Sequence, residues 1–529
     1  MNRFFNTTGP CNPQDHYMLP AKERLVGASL DRYIKNKLYW VLHAPRQTGK
    51  TTFLQSWMRE INSGGEAVAC YVSVERCQGF PDADDSIPAI IDAINDFASK
   101  ELPENEVPPR ITGNSSSLLS DMLGAWAAQV SPKPLIVLFD EVDTLQDQAM
   151  ISFLRQLRSG FAARGIGKFP VSVALVGMRD LRDYLIQSKD GVALNPGSPF
   201  NIKENSVTLS NFTAEDVARL IDQHIRETGQ QFTPEAIALV YELSRGQPWL
   251  VNALCKKCAW ELVPEESRET VTADHIFQAK ELLIRERAVH LDSLAERLRD
   301  PKVKRIVEAI LVGKTDPAIG RADRDVELCM DLGLVTFENG LRIANPIYQE
   351  IIPRVLSQNA QDNVPAPEWR WQKDDGSLDY AALFTEFQAF WRRNSDAWES
   401  KMEYVEAFPH LLVMAFLQRV INGGGRIERE YAAGRGRVDL AVEWPCSAGA
   451  TQGVWAVIEI KLIHPQDSLE TTIEEGLKQT ARYRDTVGAK EAWLIVFDRR
   501  EKSRALPWEQ RLSRSTRDTP GGPIEVVTC

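Results

Sequence analysis

Little in this 529-residue chain points to a membrane, an oxidising compartment or a repeat array. Its longest apolar stretches, such as 411–417, fall far short of the roughly 20 residues a membrane-crossing helix needs. No basic-then-apolar leader opens it, which implies a cytoplasmic protein without membrane contact. Eight cysteines are few for this length and irregularly spaced, which argues against a disulfide framework. The one close pair, Cys255 and Cys258, sits in an apolar helical pattern with no second pair or nearby histidine, so core packing explains it better than zinc. A net charge of −11 withholds the overall basic character of a general nucleic-acid binder.

What is present is ordinary globular material, 43% apolar and 26% charged, too long for one core and sized for about three or four domains. The charge is unevenly placed. Over 391–529, 20 Lys+Arg balance 20 Asp+Glu, so the acidic excess lies upstream. Within 499–517 the basic residues Arg499, Arg500, Lys502, Arg504, Arg511, Arg514 and Arg517 face only Glu501 and Glu509. Such a strip is either a solvated charged tail or a contact for phosphate.

Residues Ala44-Pro45-Arg46-Gln47-Thr48-Gly49-Lys50-Thr51-Thr52 follow a strand-like run and precede a helix-like one. That is the setting of a phosphate-binding loop, a concave turn whose amides point at phosphate oxygens and whose end is a helix N-terminus. Gly49 lets the backbone approach, Lys50 reaches the β- and γ-phosphates, and Thr51 offers a hydroxyl to Mg²⁺. The first glycine of the usual pattern is replaced by Ala44. About ninety residues on, the apolar run 135–139 ends in Asp140-Glu141, as a strand buried on both faces would. There Asp140 would hold Mg²⁺ opposite Thr51, and Glu141 would polarise the attacking water. The cofactors implied are ATP and Mg²⁺.

An α/β pattern runs to about residue 212, with strand-like segments at 39–44, 67–74, 135–140, 171–176 and 207–209. Gly177-Met178-Arg179 follows the fourth, placing Arg179 where a γ-phosphate would be sensed. Thr213 to Asp216 has capping-box spacing and opens a helical region that contains Gly246-Gln247-Pro248. Residues 301–356 suggest two helices and a hairpin around Glu338-Asn339-Gly340, hence a winged helix.

These features together resemble P-loop ATPases of the AAA+/STAND type. The resemblance implies that a leader bearing Phe5-Asn6, Gly9-Pro10, His16-Tyr17 and Leu19-Pro20 packs against the adenine. It also implies that Pro248 lies near the nucleotide as a sensor in the lid.

After a linker rich in Asn, Gln, Asp and Pro, the character changes. An apolar helix over 405–421 carries Glu406 and ends in three glycines, and strand-like segments 427–431, 438–442 and 455–462 follow. Period two puts Glu459 and Lys461 on one face. With Asp439 opposite, two carboxylates and an ammonium converge where a hard cation could sit, as metal-assisted phosphodiester hydrolysis requires. The arrangement resembles the PD-(D/E)xK nuclease superfamily, Asp439, Glu459 and Lys461 matching its core and Val438 standing where the proline would be. Gln479 and Tyr483, one helical turn apart, are similar to the Gln-x-x-x-Tyr helix of exonuclease-type members. Glu406 matches the first-helix acid less closely.

The fold expected is α/β: a P-loop parallel-sheet domain at 1–212, a helical lid at 213–290, a winged helix at 291–357, a linker at 358–390, and a mixed α/β restriction-endonuclease-like domain at 391–529. The activity expected is an ATP-hydrolysing switch or motor controlling a Mg²⁺-dependent nuclease that acts on DNA, in a setting such as defence against foreign DNA. Asp323–Leu332 is acidic and apolar, which suits a winged helix that meets a protein trigger rather than DNA. Homo-oligomerisation stays open. The rivals are a signalling or scaffold STAND-like ATPase that uses its nuclease fold only for binding, and an initiator-like DNA-binding ATPase.

Overall fold

The computed structural model describes residues 3–26, 30–178, 186–187, 193–194, 203–264, 267–286, 296–312, 320–321, 323–338, 340–356, 371, 373, 375–399, 408–421, 426–433, 436–445, 453–463, 466–498 and 500–529. Two compact units divide the chain, one of residues 1–288 with 320–347 and one of 289–319 with 348–529. No described helix is long and apolar enough to cross a membrane.

The first unit is built on strands β1 (Leu25–Val26), β2 (Tyr39–His43), β3 (Val68–Ser73), β4 (Leu135–Asp140), β5 (Ser172–Gly177) and β8 (Lys203–Leu209). A separate two-stranded pair, β6 (Ile186–Gln187) and β7 (Ala193–Leu194), lies outside this sheet. The sheet order is β1-β8-β2-β5-β4-β3, with β1 antiparallel to β8 and the other five strands parallel. Both faces are buried because the strand residues are apolar on both sides. Tyr39 and Val41 face helices α3 (Ala83–Glu101), α4 (Leu118–Gln129) and α5 (Asp147–Phe161), whereas Trp40 and Leu42 face α1 (Leu30–Lys35) and α2 (Lys50–Gly64). Helix α2 buries the stripe Phe53, Leu54, Trp57, Met58 and stops at Gly65, whose φ of 71° lies in the left-handed region that favours glycine.

Helices α6 (Ala214–Thr228), α7 (Pro234–Ser244), α8 (Pro248–Lys257) and α9 (Ala273–Arg285) follow as the expected helical region. The capping box is formed: Asp216 N donates to Thr213 Oγ1 at 3.1 Å, and Thr213 N to Asp216 Oδ2 at 3.0 Å. The leader packs here, with Phe5 and Tyr17 buried against the His224 ring and Trp249 Nε1 donating to the Thr7 carbonyl at 2.9 Å.

The segment 291–357, expected as one winged-helix domain, is divided between the units. Helix α10 (Pro301–Val312) belongs to the second; α11 (Arg324–Asp331) and the antiparallel pair β9 (Val335–Thr336) and β10 (Arg342–Ile343) belong to the first. The physical reason is local. Asp331 lies 3.7 Å from His43, and Gly333 packs so tightly on Pro45 that a Cβ there would come within 2.8 Å of the proline ring. Helix α12 (Pro346–Leu356) follows the hairpin.

The second unit carries a sheet of order β11-β12-β13-β14-β16-β15: β11 (Arg426–Ala433), β12 (Gly436–Pro445), β13 (Gly453–Ile463), β14 (Glu491–Asp498), β15 (Ser513–Thr519) and β16 (Gly522–Thr528). Strands β13, β14 and β16 are mutually parallel, and the remaining pairs antiparallel. Helices α13 (Tyr380–Glu399) and α14 (Phe408–Ile421) cover one face, and α15 (Leu469–Val487) covers the other. Two expectations change. Trp371, Leu378, Leu383, Phe384 and Phe387 are buried in this core, so the domain reaches into the stretch 358–390 expected as linker. Residues 500–517 of the basic strip are no loose tail: they form two short helical turns and then enter β15, which pairs with β16 inside the sheet.

Gly246 has φ of 71°, and a Cβ would fall 1.8 Å from the Phe212 carbonyl oxygen, whereas Gly229 (φ 76°) faces open space. Gly246→Ala is therefore expected to destabilise the first unit by at least about 2 kcal/mol more than Gly229→Ala, because backbone strain is common to both and the clash is not. Thermal melts of the two variants measure the difference; equal melting temperatures would remove the close approach.

Candidate functional site

Each unit places one chemical cluster at the end or on the face of its sheet. In the first, Ala44 continues β2, its amide 3.4 Å from the Gly177 carbonyl at the end of β5. The left-handed backbone of the loop falls at Gln47 (φ 60°) and Gly49 (φ 91°), not at Ala44, which explains why the first glycine is dispensable here. Thr48 Oγ1 donates to the Pro45 carbonyl at 2.8 Å and closes the turn. Lys50 is buried and donates from Nζ to the carbonyls of Ala44 (2.7 Å) and Pro45 (3.0 Å); burial lowers its pKa against the pull of Asp140 and Glu141. Arg46 and Gln47 are exposed. The Thr52 hydroxyl accepts from the Cys11 amide at 2.9 Å, so the leader rests on the first turn of α2.

Across the sheet, Asp140 is fully buried at the end of β4. Its Oδ2 accepts from Thr51 Oγ1 at 2.7 Å and from Tyr71 Oη at 3.2 Å, and its Oδ1 from the Glu141 amide at 3.0 Å. Burial still raises its pKa. Glu141 sits in the left-handed region (φ 58°), its carboxyl pushed up to about 7 by burial and then by Asp140 and Asp143. A hydroxyl and a carboxylate facing one another beside a buried lysine, with acids short of positive charge, fit a phosphate-bound cation.

Beneath the loop lies Arg24, 7% exposed, with no carboxylate in ion-pair reach among the described residues. It donates to the carbonyls of Thr48 (2.6 Å) and Ser210 (2.8 and 2.9 Å), and its guanidinium stands 4.8 Å from the Phe212 ring. Phe212 N in turn donates to the Gly246 carbonyl at 2.8 Å. Pro248, two residues after Gly246, is buried at the first turn of α8.

In the second unit, Asp439 on β12 and Glu459 on β13 meet because Leu440 pairs with Ile458, and the Ile460 amide donates to Asp439 Oδ2 at 2.7 Å. Lys461 Nζ bridges Glu459 Oε1 (2.9 Å) and Gln479 Oε1 (2.8 Å), and Gln479 Nε2 donates to Tyr483 Oη at 3.0 Å. His410 on α14 brings Nε2 to 3.7 Å from Asp439 Oδ2, an ion-pair rather than a hydrogen-bonding distance. Burial would raise the Asp439 carboxyl, but His410, the Ile460 amide and Lys461 hold it below the ordinary range. Glu459 is driven the other way, by burial and by Asp439, and its buried Oε2 has no partner among the described residues. One carboxylate held down, one pushed up and one orphaned oxygen fit a divalent cation. Among the described residues no three acids, histidines or cysteines close a complete cage, so water and substrate oxygens would fill the rest of its shell.

Residues 34–185 match the AAA domain, and residues 404–503 match the PD-(D/E)XK nuclease superfamily. The chain joins an AAA ATPase domain to a PD-(D/E)XK nuclease domain. Among solved structures it is similar to a Walker-type ATPase of Pyrococcus abyssi (14% identity, TM-score 0.46, covering 66% of this chain and 99% of that one). It is also similar to the RuvB Holliday junction branch migration motor of Thermotoga maritima (14%, TM-score 0.33, 61% and 91%) and to Cdc6p of Pyrobaculum aerophilum (12%, TM-score 0.34, 74% and 92%). No curated protein matches.

In the ATPase domain the structure brings together Lys50, Thr51, Asp140 and Glu141; in the nuclease domain it brings together Asp439, Glu459, Lys461, Gln479 and Tyr483. Arg179 and Glu406 lie outside the described residues. Motif spacing gives no sign of Arg24, Tyr71 or His410, because each reaches its cluster from a distant part of the chain. Arg24→Met should weaken ATP binding at least about tenfold, 1.4 kcal/mol, the scale of one charged hydrogen bond. Lys22→Met, which removes only a surface pair with Glu60, should change it less than about twofold. Titration with a fluorescent ATP analogue decides; equal affinities would reduce Arg24 to a packing residue.

Proposed function

We propose that ATP binding and hydrolysis in the ATPase domain control a Mg²⁺-dependent nuclease centre that cleaves DNA. The observation that carries the nuclease reading is the orphaned Glu459 Oε2 beside the Glu459–Lys461–Gln479–Tyr483 chain. Asp439 and Glu459 would hold the cation, which when bound supplies an activated water and neutralises charge gathering on phosphate. Lys461 then orients the nucleophile from its bridge, Gln479 holds the ammonium in place, and Tyr483 holds the amide. In the ATPase domain Lys50 would exchange the Ala44 and Pro45 carbonyls for phosphate oxygens, Thr51 and Asp140 would hold the nucleotide's cation, and Glu141 would orient water.

A nuclease running freely would attack its own cell's DNA, so control by nucleotide state is part of the proposal, with defence against foreign DNA as its setting. Arg179 and a protein trigger meeting 291–357 are the proposed inputs, and assembly of several copies is compatible with both. The rival, a nuclease fold kept only for binding, is disfavoured because Lys461 bonds Glu459 and both act electrostatically on Asp439 across the paired strands.

Asp439→Ala, Glu459→Ala and Lys461→Ala should each lower DNA cleavage at least about a hundredfold, roughly 2.7 kcal/mol of barrier, with ATP turnover little changed. Gln479→Ala and Tyr483→Ala should be milder. Cleavage that persists in EDTA would refute the metal-dependent reading. Glu141→Gln should keep ATP bound and stall its hydrolysis. With control by nucleotide, Lys50→Ala and Arg179→Ala both shift the cleavage rate at least about tenfold, a coupling of roughly 1.4 kcal/mol. Rates identical with ATP, with ADP and with neither would mean two uncoupled enzymes.

A further inference from the structure

Helix α15 is rich in acids, Glu470, Glu474, Glu475 and Asp485, and holds three cations with different fates. Arg484 turns inward: it is buried, donates to the Pro523 carbonyl at 3.1 Å and to Thr519 Oγ1 at 3.2 Å, and lies 3.5 Å from Asp485. Lys478 and Arg482 are exposed and four residues apart, so they share one stripe of the helix. That stripe runs directly beside the one formed by Gln479 and Tyr483.

Acids stand at the spacings that normally pair on a helix: Glu474 four residues before Lys478, and Asp485 three after Arg482. Even so, neither cation has a carboxylate within 4.0 Å among the described residues. Arg482 reaches instead toward the nuclease cluster, donating from Nη2 to Tyr483 Oη at 3.3 Å with its guanidinium 5.0 Å from that ring. The Tyr483 oxygen thus receives donors from Gln479 and Arg482 together, and Arg482 is joined through Gln479 to Lys461.

We propose that Lys478 and Arg482 form the surface that seats the DNA backbone, each on one phosphate, with Arg482 beside the phosphate to be cut. The inference rests on the nuclease reading and adds to it the surface that receives the strand. The two cations lie about 6 Å apart along the helix axis, comparable with the spacing of neighbouring phosphates. Cations with no carboxylate partner among the described residues, beside a carboxylate-lined centre, supply the attraction that Asp439 and Glu459 deny to a polyanion. Arg482 presents a planar fork to non-bridging oxygens, and Lys478 acts as a point charge.

The test is fluorescence anisotropy of the full chain with a 5′-labelled single-stranded DNA in EDTA, from 50 to 200 mM KCl. The slope of log affinity against log salt should flatten by roughly 1.4 in Lys478→Gln/Arg482→Gln, about 0.7 for each phosphate of a single strand that is no longer neutralised. Lys478→Gln/Arg482→Lys should regain about half of that change, since one charge returns. Lys22→Gln, which removes a surface charge in the first unit, should keep the wild-type slope. If wild-type protein cleaves DNA and the double variant, with an unchanged thermal melt, keeps the wild-type slope, the stripe is wrong and the nuclease reading stands. If wild-type protein neither binds nor cleaves DNA, both fall.

Discussion

Both chemical centres depend on a carboxylate buried on a sheet strand, Asp140 in one unit and Glu459 in the other. An ionised acid in the interior is tolerated only where donors or cations compensate it. The two are compensated differently. Asp140 accepts three hydrogen bonds, from Thr51, Tyr71 and the Glu141 amide, and lies near Lys50. Two of those donors are neutral hydroxyls, which can turn toward another acceptor without leaving a charge unpaired. Glu459 has one ammonium on one oxygen and, among the described residues, nothing on the other, so these residues leave its compensation incomplete until a positive charge arrives.

That requirement reaches into the packing around each acid. In the ATPase domain β5 separates β2 from β4, and Gly177 at its end leaves room for the Asp143 carboxylate, whose oxygen would lie 3.1 Å from a Cβ there. A side chain at that point would press on the acidic turn that holds Glu141. In the nuclease domain, Gly476 lets α15 settle on β14: a Cβ would come 2.7 Å from the Leu494 side chain. Three residues further along, Gln479 can then reach Lys461. Small residues set the helix height, and the height sets the hydrogen bond.

The parts legible in the sequence are those whose chemistry is local. Lys50 with Thr51, Glu459 with Lys461, and Gln479 with Tyr483 are each fixed by spacing on one element, and Asp140 with Glu141 by the end of one strand. Partners brought together by tertiary packing left no such trace. Arg24 lies 186 residues from Ser210, and Tyr71 lies 69 residues from Asp140. His410 sits in an apolar helix where a histidine reads as core filling. The core at 371–390 was hidden for another reason: Trp371 and Leu378 flank short polar turns, and Pro- and Asp-rich sequence just upstream masks the aromatic stripe of α13. The edge strand Ser513–Thr519 is polar at every position, so no alternation of apolar residues marks it.

The division of 291–357 follows from the same contrast between local pattern and distant contact. Gly333 (φ 72°) meets Pro45, and neither can yield easily: the glycine has no space for a Cβ, and the proline ring fixes its own backbone angle. Close-packed contacts of this kind hold or break rather than deform smoothly. Pro45 also offers its carbonyl to Lys50 and to Thr48, two residues of the phosphate-binding loop. Lys50 and Thr48 thus share one acceptor on the residue that Gly333 meets. Residues 320–347 are joined covalently on both sides to segments of the second unit. A side chain at 333 would press directly on the loop that holds Lys50, so this close approach constrains the phosphate-binding loop from a segment nearly 290 residues further along the chain.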